Sequence, residues 1–291
     1  MATTVRALLP RFMRRGIASG PRFTPIVQAL PSTVPFVSPE EQERARGRKF
    51  AARLGANETT WGPSPRAVAA IADAAAGCWM YGDPQSHDLR GALAAHHGGI
   101  DPSHMVVGEG VDGLLAYACQ LLLQPGDTLV TTLGTYPTLN YFAAGRGAAV
   151  RAVPYGADDR VDVEALLRAA AETQAKILYL ANPDNPSGTV LPPAAIGALV
   201  RRLPPGTLLL LDEAYGELAS PADQAPAVAV DDPRCVRLRT FSKVSLGSYS
   251  ACRLPRTYCG VSVFYFLTTY HIPTRFPLTS LLVCVRPADM L

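Results

Sequence analysis

The sequence predicts an α/β fold, with a mainly parallel sheet and helices on both faces, on three observations. Strand-like and helix-like stretches alternate from about residue 57 to 243, the order that a parallel sheet with crossover helices produces. Two of the strand runs, ILYL (177–180) and LLLL (208–211), are apolar at every position, as strands covered on both faces must be. Gly108, Thr135, Tyr136, Asn182, Asn185, Asp212 and Lys243 all fall at the carboxyl ends of strands, where open α/β sheets bind their ligands.

Taken in order, Ser64-Pro65 opens a helix, with Ser as N-cap and Pro at the first helical position; Val68, Ile71, Ala72 and Ala75 form its apolar face. Ser86 caps a second helix carrying Leu89 and Leu93. HMVVG (104–108) is a short strand and GVDGLLAYACQLLL (110–123) the helix after it. DTLVTT (127–132), AAVRAVPY (148–155), KILYLAN (176–182), TLLLLDEAY (207–215) and RCVRLRTFSK (234–243) read as strands. Between them YPTLNYFAAGRG (136–147), DVEALLRAAAET (162–173) and PAAIGALVRRL (193–203) read as helices. The last clear strand ends at Lys243.

The 291 residues are 48% hydrophobic and 18% charged, enough for a sizeable core in a soluble chain. Net charge is +3, from 27 basic and 24 acidic residues; with no basic stripe interleaved with aromatics, nucleic acid is not expected as a partner. No run reaches the roughly 18 apolar residues of a membrane span, the closest being 261–267, so no membrane association is expected. Six cysteines without a CxxC pair read as free thiols. Adjacent His96 and His97 at a helix end point in different directions, a solvated pair rather than a metal site, and no metal is expected. Before Glu40, the first acidic residue, stand Arg6, Arg11, Arg14, Arg15 and Arg22. Residues 1–24 therefore read as an organelle transit peptide or a plain basic segment, and the compartment as cytoplasmic or organellar (mitochondrion or plastid). Residues 244–291 differ from the rest: one acid, Asp289, no lysine, and Cys252, Cys259 and Cys284. They read neither as more of the α/β domain nor as a polar disordered tail, and VSVFYFL (261–267) as an aggregation-prone run.

GEGVDG (108–113) fits GxGxxG between a strand and a helix. A dinucleotide site expects an acid at the end of the next strand, and Asp127 lies at that strand's start instead. A glycine turn opening a helix suits any phosphate, through free amides and the helix dipole. ANPDNPSGT (181–189) places Asn182-Pro183 and Asn185-Pro186 directly after an apolar strand. Asp212 ends a buried strand, where a carboxylate needs a partner, naturally a cation, and Tyr215 follows within reach. TFSK (240–243) ends the next strand with an amine aimed at the same crevice; such a lysine can lose its proton and attack a carbonyl.

One ligand suits them all. It offers a phosphate to the Gly110 turn, a ring for Tyr136 to cover and a ring nitrogen to Asp212. It also offers a phenolic oxygen to Asn185 and Tyr215, and an aldehyde to Lys243. That ligand is pyridoxal 5′-phosphate (PLP). Asp212 would keep the ring nitrogen protonated so that the ring draws electrons from the substrate Cα, and Lys243 would move the Cα proton.

With LGANETTWGPSP (54–65), WMYGDP (79–84), VVGEGVDGLL (106–115) and GTYPTLNY (134–141) added, the chain resembles the class I/II aminotransferases of PLP fold type I, in particular the histidinol-phosphate aminotransferase-like branch, over about residues 25–243. The resemblance implies the large domain of that fold and a homodimeric transaminase of amino-acid biosynthesis. Its amino donor would be an amino acid or amine (histidinol phosphate first, aromatic amino acids next) and its acceptor a 2-oxo acid. It implies that Gly110, Val111, Asp112 and Ser242 hold the phosphate, that Tyr136 stacks on the ring, and that Asn185 and Tyr215 contact the ring oxygen. Asp212 would meet the ring nitrogen and Lys243 bond covalently to the aldehyde. Tyr81 would reach the phosphate held by the neighbouring subunit, and Asn57 and Glu58 would lie on the substrate side. A lyase similar to threonine-phosphate decarboxylases shares these cofactor residues and is the alternative; release of CO2 distinguishes it.

The pattern departs after Lys243. The resemblance implies an arginine eight residues on, where Ala251 stands, with Arg253 two residues late. It also implies about another hundred residues, within ordinary domain sizes, including a C-terminal small domain. On this reading the chain is truncated after the active-site lysine, the small domain is missing, 244–291 is a non-homologous tail, and the product is impaired or inactive. Val244-Ser245 can be encoded by GTGAGT, a common intron start, which would make the tail an unspliced or misassigned segment.

Overall fold

The computed structural model describes residues 22–31, 36–59, 62–224 and 232–243, and the backbone of 263–267. The expectations for residues 1–21, for Ala251 and Arg253, and for Cys252, Cys259 and Cys284 lie outside the described residues.

Two helices precede the region where the sequence pattern becomes regular. Helix α1 (Pro25–Ala29) is capped by Thr24, whose hydroxyl accepts from the Val27 amide, and buries no residue. Helix α2 (Pro39–Arg46) is capped by Ser38 and closed by Gly47 at φ 67°. Its Glu40 and Glu41 lie in the first turn and Arg44 and Arg46 in the last, matching the helix dipole.

Helix α3 (Pro65–Ala75) starts at the expected place, with Ser64 at the N-cap position, but the serine side chain makes no capping bond to the helix. It buries Ala67 and Ala74, while Val68 (50% exposed) and Ile71 (42%) face outward. The apolar stripe of the sequence exists, but the described residues leave it exposed. Helix α4 (His87–His96) buries Leu89 and Leu93 as expected. Ser86 does not cap it; it sits at φ 48° without a capping bond, and the Asp83 carboxylate accepts from the amides of Gln85 (2.9 Å) and His87 (2.7 Å) instead. His97 also departs from the solvated pair expected. It is half-buried, and that burial, with Arg239, His96 and Arg237 nearby, brings its imidazole down to about 3, so it stays neutral.

From here strands and helices alternate as predicted: β1 (Met105–Glu109), α5 (Gly110–Leu122), β2 (Thr128–Thr132), α6 (Thr138–Gly145), β3 (Ala149–Val153), α7 (Val163–Glu172), β4 (Ile177–Ala181), α8 (Pro193–Arg201), β5 (Leu208–Asp212) and β6 (Cys235–Thr240). The sheet order is β1-β7-β6-β5-β4-β2-β3, with β7 spanning Val263–Leu267. All pairings are parallel except those of β7. The period of two along each strand sorts side chains between two cores. Ile177 and Tyr179 of β4 and Leu208 and Leu210 of β5 pack with α5 and α6 on one face. Leu178, Leu180, Leu209 and Leu211 pack with α7 and α8 on the other. This is why ILYL and LLLL carry no polar alternation.

The sequence reading ended the α/β domain at 243, and the sheet extends beyond it. Strand β7 lies antiparallel between β1 and β6, with Phe264 opposite both Gly108 and Thr240. Among the described strands β1 pairs with β7 alone, so β7 joins the strand that leads into α5 to the strand that leads to Lys243.

The arginines of β6 are buried. Arg237 grips the Glu213 carboxylate with two bonds (2.9 and 3.0 Å), and Arg239 bridges Glu213 and Glu217 at 3.0 Å each. Each arginine side chain is 8% exposed. Removing one partner of a buried ion pair strands the others and costs about 3–5 kcal/mol. Glu213→Ala is therefore expected to lower unfolding free energy by about that amount in urea denaturation, and an unchanged midpoint would mean that solvent reaches this network.

Candidate active site

A cavity of about 320 Å³ opens at the carboxyl ends of β1, β4, β5 and β6, within the size range of small-molecule sites. On one side β1 passes directly into α5. Gly110 stands at φ 94° at that junction, a conformation open to glycine at little cost. Gly108 lets the strand approach the helix: a Cβ there would lie 2.8 Å from Leu114. The first-turn amides of α5 have no intrahelical partners and, with the helix dipole, favour an anion.

Across the cavity Tyr136 donates to both oxygens of Asp112 at 3.0 Å. Burial raises the Asp112 carboxyl and pushes the Tyr136 hydroxyl up to about 12. The loop after β4 is held by Asp184, a buried carboxylate that accepts from the hydroxyls of Thr135 (2.9 Å), Tyr155 (2.7 Å) and Ser187 (2.7 Å). That network fixes Asn185 beside Tyr215, whose hydroxyl accepts from Asn185 Nδ2 (3.4 Å) and Asn57 Nδ2 (3.0 Å).

Asp212 ends β5 on the cavity side and is 4% exposed. The Tyr179 hydroxyl donates to its Oδ2 at 2.7 Å and the Ala214 amide to its Oδ1 at 2.9 Å. Burial outweighs these two donors and pushes the carboxyl up to about 6, with Asp112 and Glu213 adding to the rise. No cation among the described residues pairs with it. Beyond β6, Ser242 shares a 2.8 Å hydroxyl bond with Thr240. Lys243 Nζ lies 5.6 Å above the Tyr215 ring and donates to the Ala56 carbonyl at 3.4 Å.

Of the residues singled out in the sequence, Gly110, Val111, Asp112, Tyr136, Asn185, Asp212, Tyr215, Ser242 and Lys243 all line this cavity. Asn57 reaches it through Tyr215. Glu58 is not brought there; it forms an exposed two-bond pair with Arg53 (2.6 and 2.8 Å). Tyr81 is fully exposed and absent from the cavity wall of its own chain. Glu109, Tyr179 and Thr240 also line the cavity and were not singled out. Tyr179 had a signal: a tyrosine inside an apolar strand must find its hydroxyl a partner. No group of metal-ligating side chains occurs among the described residues, and none of the described helices is long and apolar enough to cross a membrane.

A strand-to-helix turn, a buried carboxylate and a strand-end lysine share this one cavity, and the family comparison supplies the class. The class I and II aminotransferase profile matches residues 52–251, and the chain belongs to that family. Among its relatives, histidinol-phosphate aminotransferases of Hyphomonas neptunium and Symbiobacterium thermophilum are 36% and 35% identical, over 82% and 75% of this chain and 65% and 60% of theirs. The crystal structure of the Sinorhizobium meliloti histidinol-phosphate aminotransferase in complex with pyridoxal-5′-phosphate superposes with a TM-score of 0.76 at 44% identity, covering 87% of this chain and 64% of that one. A mutant of Thermus thermophilus aspartate aminotransferase, 21% identical with a TM-score of 0.67 over 85% of this chain and 65% of its own, shares the fold. The chain thus spans about 60–65% of the length of these proteins.

Proposed function

We propose that this cavity holds PLP and that the chain moves an amino group from histidinol phosphate to a 2-oxo acid. The observation that carries the reading is Asp212, a buried carboxylate with only neutral donors, on the same cavity wall as the Gly110 turn and Lys243. A cationic ring nitrogen supplies the charge this carboxylate is missing. When bound, PLP supplies an aldehyde that takes up the amino group and a ring that draws electrons from the substrate Cα.

The residues divide the remaining work. The amides of Gly110, Val111 and Asp112, with the Ser242 hydroxyl, hold the phosphate. Tyr136, its hydroxyl anchored on Asp112, covers the ring. Asp212 keeps the proton on the ring nitrogen, and Asn185 and Tyr215 hold the ring oxygen. Lys243 Nζ is the amine that would hold the aldehyde and, once displaced by the incoming amine, would be the base that moves the substrate Cα proton.

The homodimer belongs to the same proposal. Val68, Ile71, Trp79, Met80 and Tyr81 are all exposed, and a second copy of this chain would cover them while Tyr81 reached the partner's phosphate. Identity of 31–37% to histidinol-phosphate aminotransferases supports the choice of amine. The test follows the two half-reactions in turn: PLP-loaded chain plus histidinol phosphate is expected to yield pyridoxamine phosphate, which 2-oxoglutarate converts back. In a parallel incubation with threonine phosphate, which carries a carboxylate, release of CO2 without pyridoxamine phosphate would make it a lyase.

Asp212 also sets a pH dependence. Its carboxyl, raised to about 6 in the ligand-free chain, is ionised above that value and can then pair with a ring cation. Below it, binding must first expel a proton. PLP affinity is therefore expected to fall as pH drops through about 6 in equilibrium titrations, and to lose this acid limb in Asp212→Ala. The protein's own stability moves the other way. A carboxyl whose value rises on folding contributes most at low pH, and that contribution is lost between its unfolded value near 3.8 and about 6.

A further inference from the structure

We propose that Tyr179 is a positioning residue, whose hydroxyl holds the charged form of Asp212 and aims it at the ring nitrogen; the inference rests on the PLP reading. Tyr179 is fully buried in β4, where the residues sharing its face, Ile177 and Ala181, are apolar. A phenylalanine would fill the same space. A buried hydroxyl without a partner costs about 1–3 kcal/mol, and this one has the Asp212 carboxylate at 2.7 Å.

The register explains the reach. Ala181 pairs with Asp212 and Tyr179 with Leu210. Tyr179 therefore lies one same-face position back from Asp212, and its long ring spans that diagonal. With the Ala214 amide on Oδ1 and the Tyr179 hydroxyl on Oδ2, both oxygens are fixed and the carboxylate cannot rotate away from the cavity. Burial, Asp112 and Glu213 oppose its charge, while Tyr179 and Ala214 favour it. Lys243 and Tyr136 face the same cavity, and Glu213 is itself gripped by Arg237 and Arg239. Burial and the neighbouring carboxylate raise the Tyr179 hydroxyl well above its ordinary value, so it remains a donor throughout the working range.

The test compares the parent chain with Tyr179→Phe, each titrated with PLP and with its analogue bearing carbon in place of the ring nitrogen. Tyr179→Phe is expected to weaken PLP about tenfold, as a hydrogen bond to a charged group should, and to move the acid limb of PLP affinity to higher pH. Affinity for the carbon analogue should stay within about twofold, since that ring has no proton for Asp212 to hold. Equal losses for both ligands, or no loss for PLP, would overturn the role. Carbon NMR titration of Asp212 in the ligand-free chains provides a separate readout. Tyr179→Phe should raise its midpoint, and an unmoved midpoint sinks the inference whether or not PLP binds. If the parent chain fails to bind PLP while the midpoint moves, the cofactor reading fails and the Tyr179–Asp212 coupling stands.

Discussion

Lys243→Ala, loaded with PLP and mixed with an amino donor, is expected to form pyridoxamine phosphate about 10²–10⁴-fold more slowly than the parent chain, the span that a positioned proton-transfer group contributes. Among the described residues the lysine is the only amine on the cavity wall, and the β6 strand that leads to it is locked to β5 by ladder bonds and by the buried Arg237–Glu213 pair. Its Nζ stands above the Tyr215 ring, inside the same cavity. Without it the phosphate turn, Asp212 and Tyr136 are intact, so PLP should still enter and bind non-covalently. A small added amine should restore part of the rate, because the missing function is a base and not a scaffold. Stopped-flow absorbance follows the reaction, and a rate within threefold of the parent would assign the base elsewhere.

Asp212→Ala is expected to cost far more in rate than in affinity. A neutral ring nitrogen binds nearly as well as a charged one to the rest of the pocket, but it withdraws electrons poorly. Each unit by which the carboxylate raises the ring nitrogen's basicity is worth about 1.4 kcal/mol, and the part expressed in the transition state appears in the rate. The half-reaction should slow by two or more orders of magnitude while PLP binds within about tenfold. Equal losses in both would reduce Asp212 to a binding residue.

The sheet was legible because burial on both faces leaves its mark in composition. ILYL and LLLL have no polar alternation, and in the structure their residues divide between two cores. The cavity was legible for a related reason: strand ends need polar punctuation, so Gly110, Asn185, Asp212 and Lys243 stood out against apolar runs. Periodicity found the stripe of Val68 and Ile71 on α3 but could not say what covers it, since the partner surface is not in the same stretch of chain. Ser86 looked like a cap by residue type, yet Asp83 competes with a stronger acceptor three residues earlier. Arg237 and Arg239 hid in plain alternation; only the register of β5 against β6 brings Glu213 to them. Strand β7 was invisible because its flanking composition is foreign to the rest of the chain, whereas joining a sheet requires only free backbone groups on β1 and β6.

The most direct test of the account is chemical. The chain is incubated with PLP, reduced with borohydride and digested, and the peptide carrying the pyridoxyl group is sequenced. The account predicts the label on Lys243, in stoichiometric amount, and its loss in Lys243→Ala. A label on Lys176, which lies at the opposite end of β4 from the cavity, or no label on any lysine, would contradict it.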